Sequence, residues 1–452
     1  MSKIRSMRQW MELLKNENHL IEINKKVDLR YELSAVGKKA DGKYALQFKN
    51  VFYNGREFKI PVVTNLLNTR QLIEKAIGAI PGHLLEYFSH AQSNPMEPKI
   101  IDKNDAPVKE IINLDPNLYD LPIPIHHEKD GGQYITAGIL IAKNPKTKVR
   151  NISIHRLQVL DRNKLGILIL PRHLFHFFDI AEKEKQPLEV AVAIGVDPVL
   201  LLASQALAAL DFDEFGIAGR LYGEPLEIVR AETVDIEVPA QAEIVLEGAI
   251  LPGIREPEGP FGEYPKYYGP KSPKPVLELK AITMRSDPIY HTIIPANKEH
   301  LLLGAVPREA NMLQLIRNSV PNTVAVSLSE GGVCRYHAII SIDKKNEGEA
   351  KNAIFAAFSS SHEIKHAIVV DKDIDVFNME EVEWAIATRC QASKDIFIIP
   401  NALGNKLDPS SHNGISDKMG IDATVPLVDA ASEKYEKIKI PGEEHIKLED
   451  YI

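Results

Sequence analysis

Two short runs in this 452-residue chain carry side chains suited to acid–base chemistry: E-P-E-G-P-F-G-E-Y-P-K-Y-Y-G at 256–269 and N-I-S-I-H-R at 151–156. The first crowds Glu256, Glu258 and Glu263 among glycines, prolines and aromatics. Pro260, flanked by Gly259 and close to Gly262, forbids a regular helix, and the run reads as neither helix nor strand. A turn at Pro-Phe-Gly folds it back so that Glu258 and Glu263 point into one space. Carboxylates held close acquire separated pKa values, which suits a proton donor working near neutrality. The alternative is a surface loop with solvated glutamates, which is the reading for Glu256. In the second run, strand alternation sets Asn151, Ser153 and His155 on one face and Ile152, Ile154 and Arg156 on the other. An arginine beside two isoleucines on an inward face requires a carboxylate partner, unless it lies on an exposed edge. Asn151 and Ser153 offer side-chain oxygens to a phosphate or a metal.

The elements that must position these runs fall into three groups. Met7, Trp10, Leu13 and Leu14 recur at helical spacing, predicting a helix over residues 5–16. Strands are expected at His19–Ile23, Ala45–Phe52 and Ile60–Thr64, with Asn68 capping a helix Thr69–Ile77. That alternation predicts an N-terminal α/β domain over 1–110. The middle of the chain, 111–318, is β-rich: Y-I-T-A-G-I-L-I-A, I-S-I-H-R-L-Q-V-L and L-G-I-L-I-L follow one another closely. Further strands are expected at Leu188–Ile194, Leu226–Arg230, Glu243–Leu246 and Leu277–Arg285, pointing to a sandwich or barrel. From 319 to 452, T-V-A-V-S-L, Y-H-A-I-I-S-I, A-I-V-V-D and I-F-I-I-P alternate with helices Gly348–Ser359 and Met379–Arg389, a C-terminal α/β domain. The fold class expected is α+β multidomain.

Composition excludes several functions. A formal charge of -8 argues against a nucleic-acid footprint or a basic membrane face. Cys334 and Cys390 are the only cysteines, which excludes a disulfide framework or thiolate metal site and fits a reducing, cytoplasmic setting. The apolar run V-D-P-V-L-L-L-A-S-Q-A-L-A-A-L-D is bounded by aspartates and reads as a buried helix rather than a membrane span. No G-x-x-x-x-G-K-[ST], H-E-x-x-H, G-x-S-x-G or dinucleotide glycine fingerprint occurs.

N-I-S-I-H-R followed about a hundred residues later by E-G-P-F-G-E resembles the UbiD family of decarboxylases, which use prenylated FMN. The resemblance implies a central split β-barrel that binds the flavin and a C-terminal domain that associates, giving a homodimer or homohexamer. It implies a catalytic trio of Arg156, Glu258 and Glu263. It implies Asn151, His173 in P-R-H-L and Glu214 in D-E-F-G as ligands of a divalent metal, commonly Mn²⁺, with K⁺ nearby. Ser153, Ile154, His155, Arg156, Arg172 and Ser204 then line the cofactor, and Lys418, in the loop S-D-K-M-G-I-D-A-T, reaches it. L-L-A-S-Q-A-L lacks the S-M-P found in ferulate-type members. A flavin prenyltransferase is the implied supplier of the cofactor, and a carboxylic acid and CO₂ are the small-molecule partners.

The chemistry of decarboxylation is consistent with this set. It needs an electron sink, which only a cofactor supplies, a cation to orient the leaving carboxylate, and an acid to protonate the product. Glu258 is expected to fix Arg156, while Glu263 donates the proton, its apolar neighbours favouring the protonated form. His300 and Arg308, in N-K-E-H-L-L-L-G-A-V-P-R-E-A, are further cationic candidates flanking an apolar turn. They resemble the furan-2,5-dicarboxylate decarboxylase branch and would hold a second carboxylate, unless Arg308 pairs with Glu309 or Glu299 outside the pocket. Other aromatic or α,β-unsaturated acids, or a flavin oxidoreductase, are the alternatives.

Overall fold

The computed structural model describes residues 3–429 and 433–452. The first helix is Met7–Asn16, capped by Ser6, whose Oγ accepts from the Gln9 amide. Its apolar face drives Trp10 into the core, where the indole N–H donates to Leu66 O at 2.9 Å. Strands Leu20–Ile23, Ala45–Phe48 and Val62–Thr64 form one sheet with Tyr290–His291, which returns from far along the chain to pair with Val62–Val63. A two-residue strand from far along the chain thus completes the sheet of the N-terminal segment. Thr69, not Asn68, caps the helix Arg70–Ile77, because its hydroxyl reaches the Leu72 amide.

A nine-stranded antiparallel sheet fills the centre. In spatial order its strands are Arg150–Ile154, Ile139–Lys143, Leu188–Ile194, Ile244–Glu258, Ser272–Met284, Lys164–Ile167, Leu157–Asp161 and Tyr134–Ile135, with Ile111–Asn113 also on Ser272–Met284. Arg150–Ile154 and Leu157–Asp161 lie at or beside opposite ends of this order, yet only His155 and Arg156 separate them. Two intervening residues span roughly 11 Å at most. The sheet must therefore curl until its ends face one another, with Arg156 at the seam.

The third sheet runs Thr323–Leu328, His337–Ile342, His366–Asp371, Ile415–Ala423 and Ile396–Leu403, the two central pairings being parallel. The helix Lys298–Ser319 ties the molecule together, packing on the helices Leu84–Ser93 and Glu349–Ser360 and on the strand Thr323–Leu328. Two sequence expectations change here. Residues 196–211 form only the short helix Pro198–Ala203, since Ser204 closes it by donating to Leu201 O, and the rest is irregular chain. His300 and Arg308 lie on a continuous helix rather than around a turn. Among the described residues, no helix is long and apolar enough to cross a membrane.

Candidate active site

Strand, turn and seam combine to bring the two sequence runs together. The strand Ile244–Glu258 pairs to its last residue, Glu258 lying opposite Ser272, so the acidic run is strand at its start and not irregular throughout. Gly259 follows at φ 95°, where a Cβ would stand 2.9 Å from Pro270 O; only glycine passes. Phe261–Gly262 then pairs with Tyr268–Gly269, and the chain turns at Glu263–Lys266, one turn later than expected. Gln158 locks the approach, accepting from the Gly259 amide and donating to Gly131 O, both at 2.8 Å.

Both carboxylates then meet Arg156. Its Nη2 donates to Glu258 Oε2 at 2.9 Å, and its Nη1 to Glu263 Oε1. Phe261 packs under the guanidinium, its ring centre 5.0 Å from Cζ. The two acids are not equivalent. Glu258 is fully buried, receives a second hydrogen bond from Tyr134 Oη at 3.1 Å, and does not line the cavity. Glu263 does line it. Its surroundings include a guanidinium as well as the apolar neighbours expected from sequence. Glu256 is half-buried and stands opposite Lys274 in the ladder.

Asn151, His173 and Glu214 also converge. Asn151 Nδ2 lies 3.3 Å from His173 Nδ1 and 2.9 Å from Glu214 Oε1. Glu214 takes a further bond from the Ile152 amide, and His173 opens the helix His173–Lys183. Burial pushes the Glu214 carboxyl up to about 8. Among the described residues no lysine or arginine pairs with it, so a hard divalent cation would supply the missing positive charge. Among the described residues no group of three or more His, Cys, Asp or Glu is placed to hold a metal ion. His155 serves Ser153: its Nδ1–H donates to Leu168 O at 3.1 Å, and Nε2 accepts from the Ser153 hydroxyl at 2.9 Å. Burial depresses its pKa to about 4, keeping it neutral.

Both groups open into one cavity of about 690 Å³, ample for a cofactor and a small acid. Its wall carries a second cationic pole. Arg308 pairs there with Glu363, Nε to Oε2 at 3.3 Å, rather than with Glu309 or Glu299. Glu309 instead holds Arg70, and Glu299 accepts from the Asn65 and Leu67 amides. Arg335 lies 5.3 Å over the Tyr264 ring. Burial first, then the charge of Arg308, lowers its pKa to about 10, so its charge is under-compensated. His300 is not the cation expected from sequence. Burial and the neighbouring Arg335 and Arg308 press its pKa to about 3. It is neutral, and because Nδ1 accepts from the Ala296 amide, Nε2 carries the proton.

These geometries have counterparts in known proteins. Three family models cover the chain in sequence: the N-terminal domain of 3-octaprenyl-4-hydroxybenzoate carboxy-lyase at 11–91, its Rift-related domain at 99–298 and its C-terminal domain at 301–423. The chain belongs to the UbiD family. It is accordingly a carboxy-lyase and not the flavin oxidoreductase that sequence alone left open. The structure of the UbiD-class enzyme HmfF from Pelotomaculum thermopropionicum in complex with FMN is similar, with 55% identity over 99% of this chain and 100% of that one and a TM-score of 0.96. An evolved dimeric form of HmfF in complex with prFMN matches at 52% identity over 99% and 100%, TM-score 0.92. Anhydromevalonate phosphate decarboxylase of Methanothermobacter thermautotrophicus is 41% identical over 86% of this chain and 90% of its own length.

Within this UbiD-family cavity, Ser153, Ile154, His155, Arg156, Arg172, Ser204, His300 and Arg308 all line the wall, as do Asn151, His173 and Glu214. Lys418 does not. It sits mid-strand rather than in a loop, and its Nζ donates to His362 O at 3.0 Å and to Ile364 O. It braces the turn that carries Glu363. Arg335 and Glu363 escaped the sequence reading. The one local sign of Arg335 was Gly304, where a Cβ would fall 1.6 Å from Arg335 Nη2. Gly304→Ala is expected to displace that guanidinium. Turnover should drop at least tenfold, while urea stability stays within about 1 kcal/mol, since alanine is the better helix former.

Proposed function

We propose that this enzyme catalyses the reversible, non-oxidative decarboxylation of a heteroaromatic dicarboxylate, furan-2,5-dicarboxylate foremost, using prenylated FMN. The second cationic pole carries this reading: one guanidinium suffices for the leaving carboxylate, yet Arg308, Arg335 and the Nε2–H of His300 share the same cavity. They suit a second anionic group on the substrate.

Asn151, His173 and Glu214 would hold a divalent metal such as Mn²⁺ on the cofactor's phosphate, consistent with the mixed nitrogen and oxygen donor set. Ser153, Ile154, Arg172 and Ser204 would line the flavin. When bound, prenylated FMN supplies the electron sink that no side chain offers. Arg156 orients the leaving carboxylate. Glu258, held by Arg156 and Tyr134 and sealed from the cavity, keeps the guanidinium in that rotamer. Glu263, the acid that faces the cavity, holds the proton and delivers it to the carbon from which CO₂ departs. Phe261 and Tyr264 wall the reacting centre from water.

A second reading has one observation in its favour. Two guanidiniums and an imidazole N–H exceed what one carboxylate requires and suit a phosphate, and a relative at 41% identity is an anhydromevalonate phosphate decarboxylase. A panel decides between them. Protein co-expressed with a flavin prenyltransferase is expected to release CO₂ from furan-2,5-dicarboxylate faster than from mono-acids or from a phosphorylated α,β-unsaturated acid. Preference for the phosphorylated acid would reverse the order of the two readings.

A further inference from the structure

Resting on the diacid reading for the orientation of the substrate, we propose that Glu363 is a specificity-determining residue that sets how much negative charge the second pole accepts.

Arg308 and Arg335 form the pole, Arg172 adjoins it from the flavin side, and Glu363 is the carboxylate that feels all three on the cavity wall. Arg308 bonds it directly; Arg335 and Arg172 act on it through space. Burial alone would raise the Glu363 carboxyl, but these three arginines outweigh it and hold it down at about 2, so it is a permanent anion. Three guanidiniums against one carboxylate leave two net positive charges.

Glu363 is also fixed in place. Its Oε1 accepts from Asn405 Nδ2 at 2.7 Å, and the same nitrogen lies 2.6 Å from Tyr264 Oη. Asn405 comes from the connection between strands Ile396–Leu403 and Ile415–Ala423, and Tyr264 directly follows Glu263. Lys418 grips the carbonyls on either side of Glu363, those of His362 and Ile364. The carboxylate therefore cannot swing aside when an anion enters. A substrate group that reaches Arg308 or Arg335 must share those cations with a fixed negative charge. Like charges a few ångströms apart repel strongly at the low effective dielectric of a cavity wall. Glu363 thus lowers the affinity for every anion at this pole, and most for the more highly charged ones.

Two substitutions separate the charge of Glu363 from its bulk. Glu363→Gln keeps the carbonyl that Asn405 needs and raises the pole by one positive charge. Glu363→Asp keeps the charge on a shorter side chain. The measurement is equilibrium binding of furan-2,5-dicarboxylate and of its half-amide, 5-carbamoylfuran-2-carboxylate, to enzyme loaded with FMN in place of prenylated FMN, so that neither acid is consumed, at constant ionic strength. Glu363→Gln is expected to tighten the diacid relative to the half-amide by about tenfold, and Glu363→Asp to leave the ratio within about threefold of wild type. A ratio unmoved within twofold in Glu363→Gln, or shifted equally in both variants, overturns the role given to Glu363. If Glu363→Gln fails to fold, Asn405→Leu, which frees the carboxylate to swing aside, is expected to tighten the diacid in the same direction, and an unmoved ratio there overturns the role. If the wild type binds the diacid but releases no CO₂ from it, the diacid reading falls, while the binding ratio still decides the charge role.

Discussion

Glu263→Gln is expected to lower kcat by about 10²- to 10⁴-fold, the usual worth of a positioned general acid. Cofactor content, followed by flavin absorbance, should be unchanged, because Glu263 touches neither the Asn151, His173 and Glu214 set nor Ser153 in any hydrogen bond seen here. Glutamine preserves the size of the side chain and can still accept from Arg156, so the loss isolates the proton. Glu258→Gln makes the contrast. It removes a charge from a fully buried carboxylate bonded to both Arg156 and Tyr134. Its damage should appear as lower thermal stability together with a raised KM, because Arg156 is then held by one carboxylate instead of two. Turnover of Glu263→Gln within threefold of wild type, with the cofactor loaded, would show that the proton comes from elsewhere.

The meeting of Arg156 with Glu258 and Glu263 was partly legible in sequence, because each side chain obeys a local rule. Strand alternation singled out Arg156 as a cation needing a partner, and the Gly-Pro interruption singled out a shaped acidic loop. What sequence could not supply was the reason they meet. Arg156 occupies the two-residue seam where a nine-stranded sheet curls back on itself, and pairings between strands a hundred residues apart fix that position. The helix expected over 196–211 failed for the opposite reason. Its composition is helical, yet it stops at Ala203 and the chain beyond lines the cavity. The charge of His300 was misread because burial and two arginines, Arg335 and Arg308, remove it, and Arg335 lies 35 residues further along the chain. Arg335, Glu363 and Asn405 stand on separate connections of the C-terminal sheet. No periodicity marks such residues; they gather only when that sheet packs on the helix Lys298–Ser319.

Arg308→Ala is expected to reduce kcat/KM for the diacid by roughly 30- to 1000-fold, with a much smaller loss for a mono-acid. Removing one partner of a buried, charge-assisted contact costs about 2–4 kcal/mol, and every 1.4 kcal/mol is a factor of ten. The ratio between substrates is the informative quantity. Arg308 also bonds Glu363 and the Gly304 carbonyl, so its removal leaves a buried carboxylate with weaker compensation and should cost some stability. That cost reduces the turnover of all acids alike and cancels in the ratio. Arg335→Ala should reproduce the selective loss, since its guanidinium lines the same cavity and donates to the Leu301 and Cys334 carbonyls, whereas Arg308 bonds the Glu363 carboxylate. Equal losses for diacid and mono-acid in both variants would mean that these arginines only scaffold the cavity wall. A selective loss would instead place the second anionic group of the substrate against them, and so fix which carboxylate is left facing Arg156.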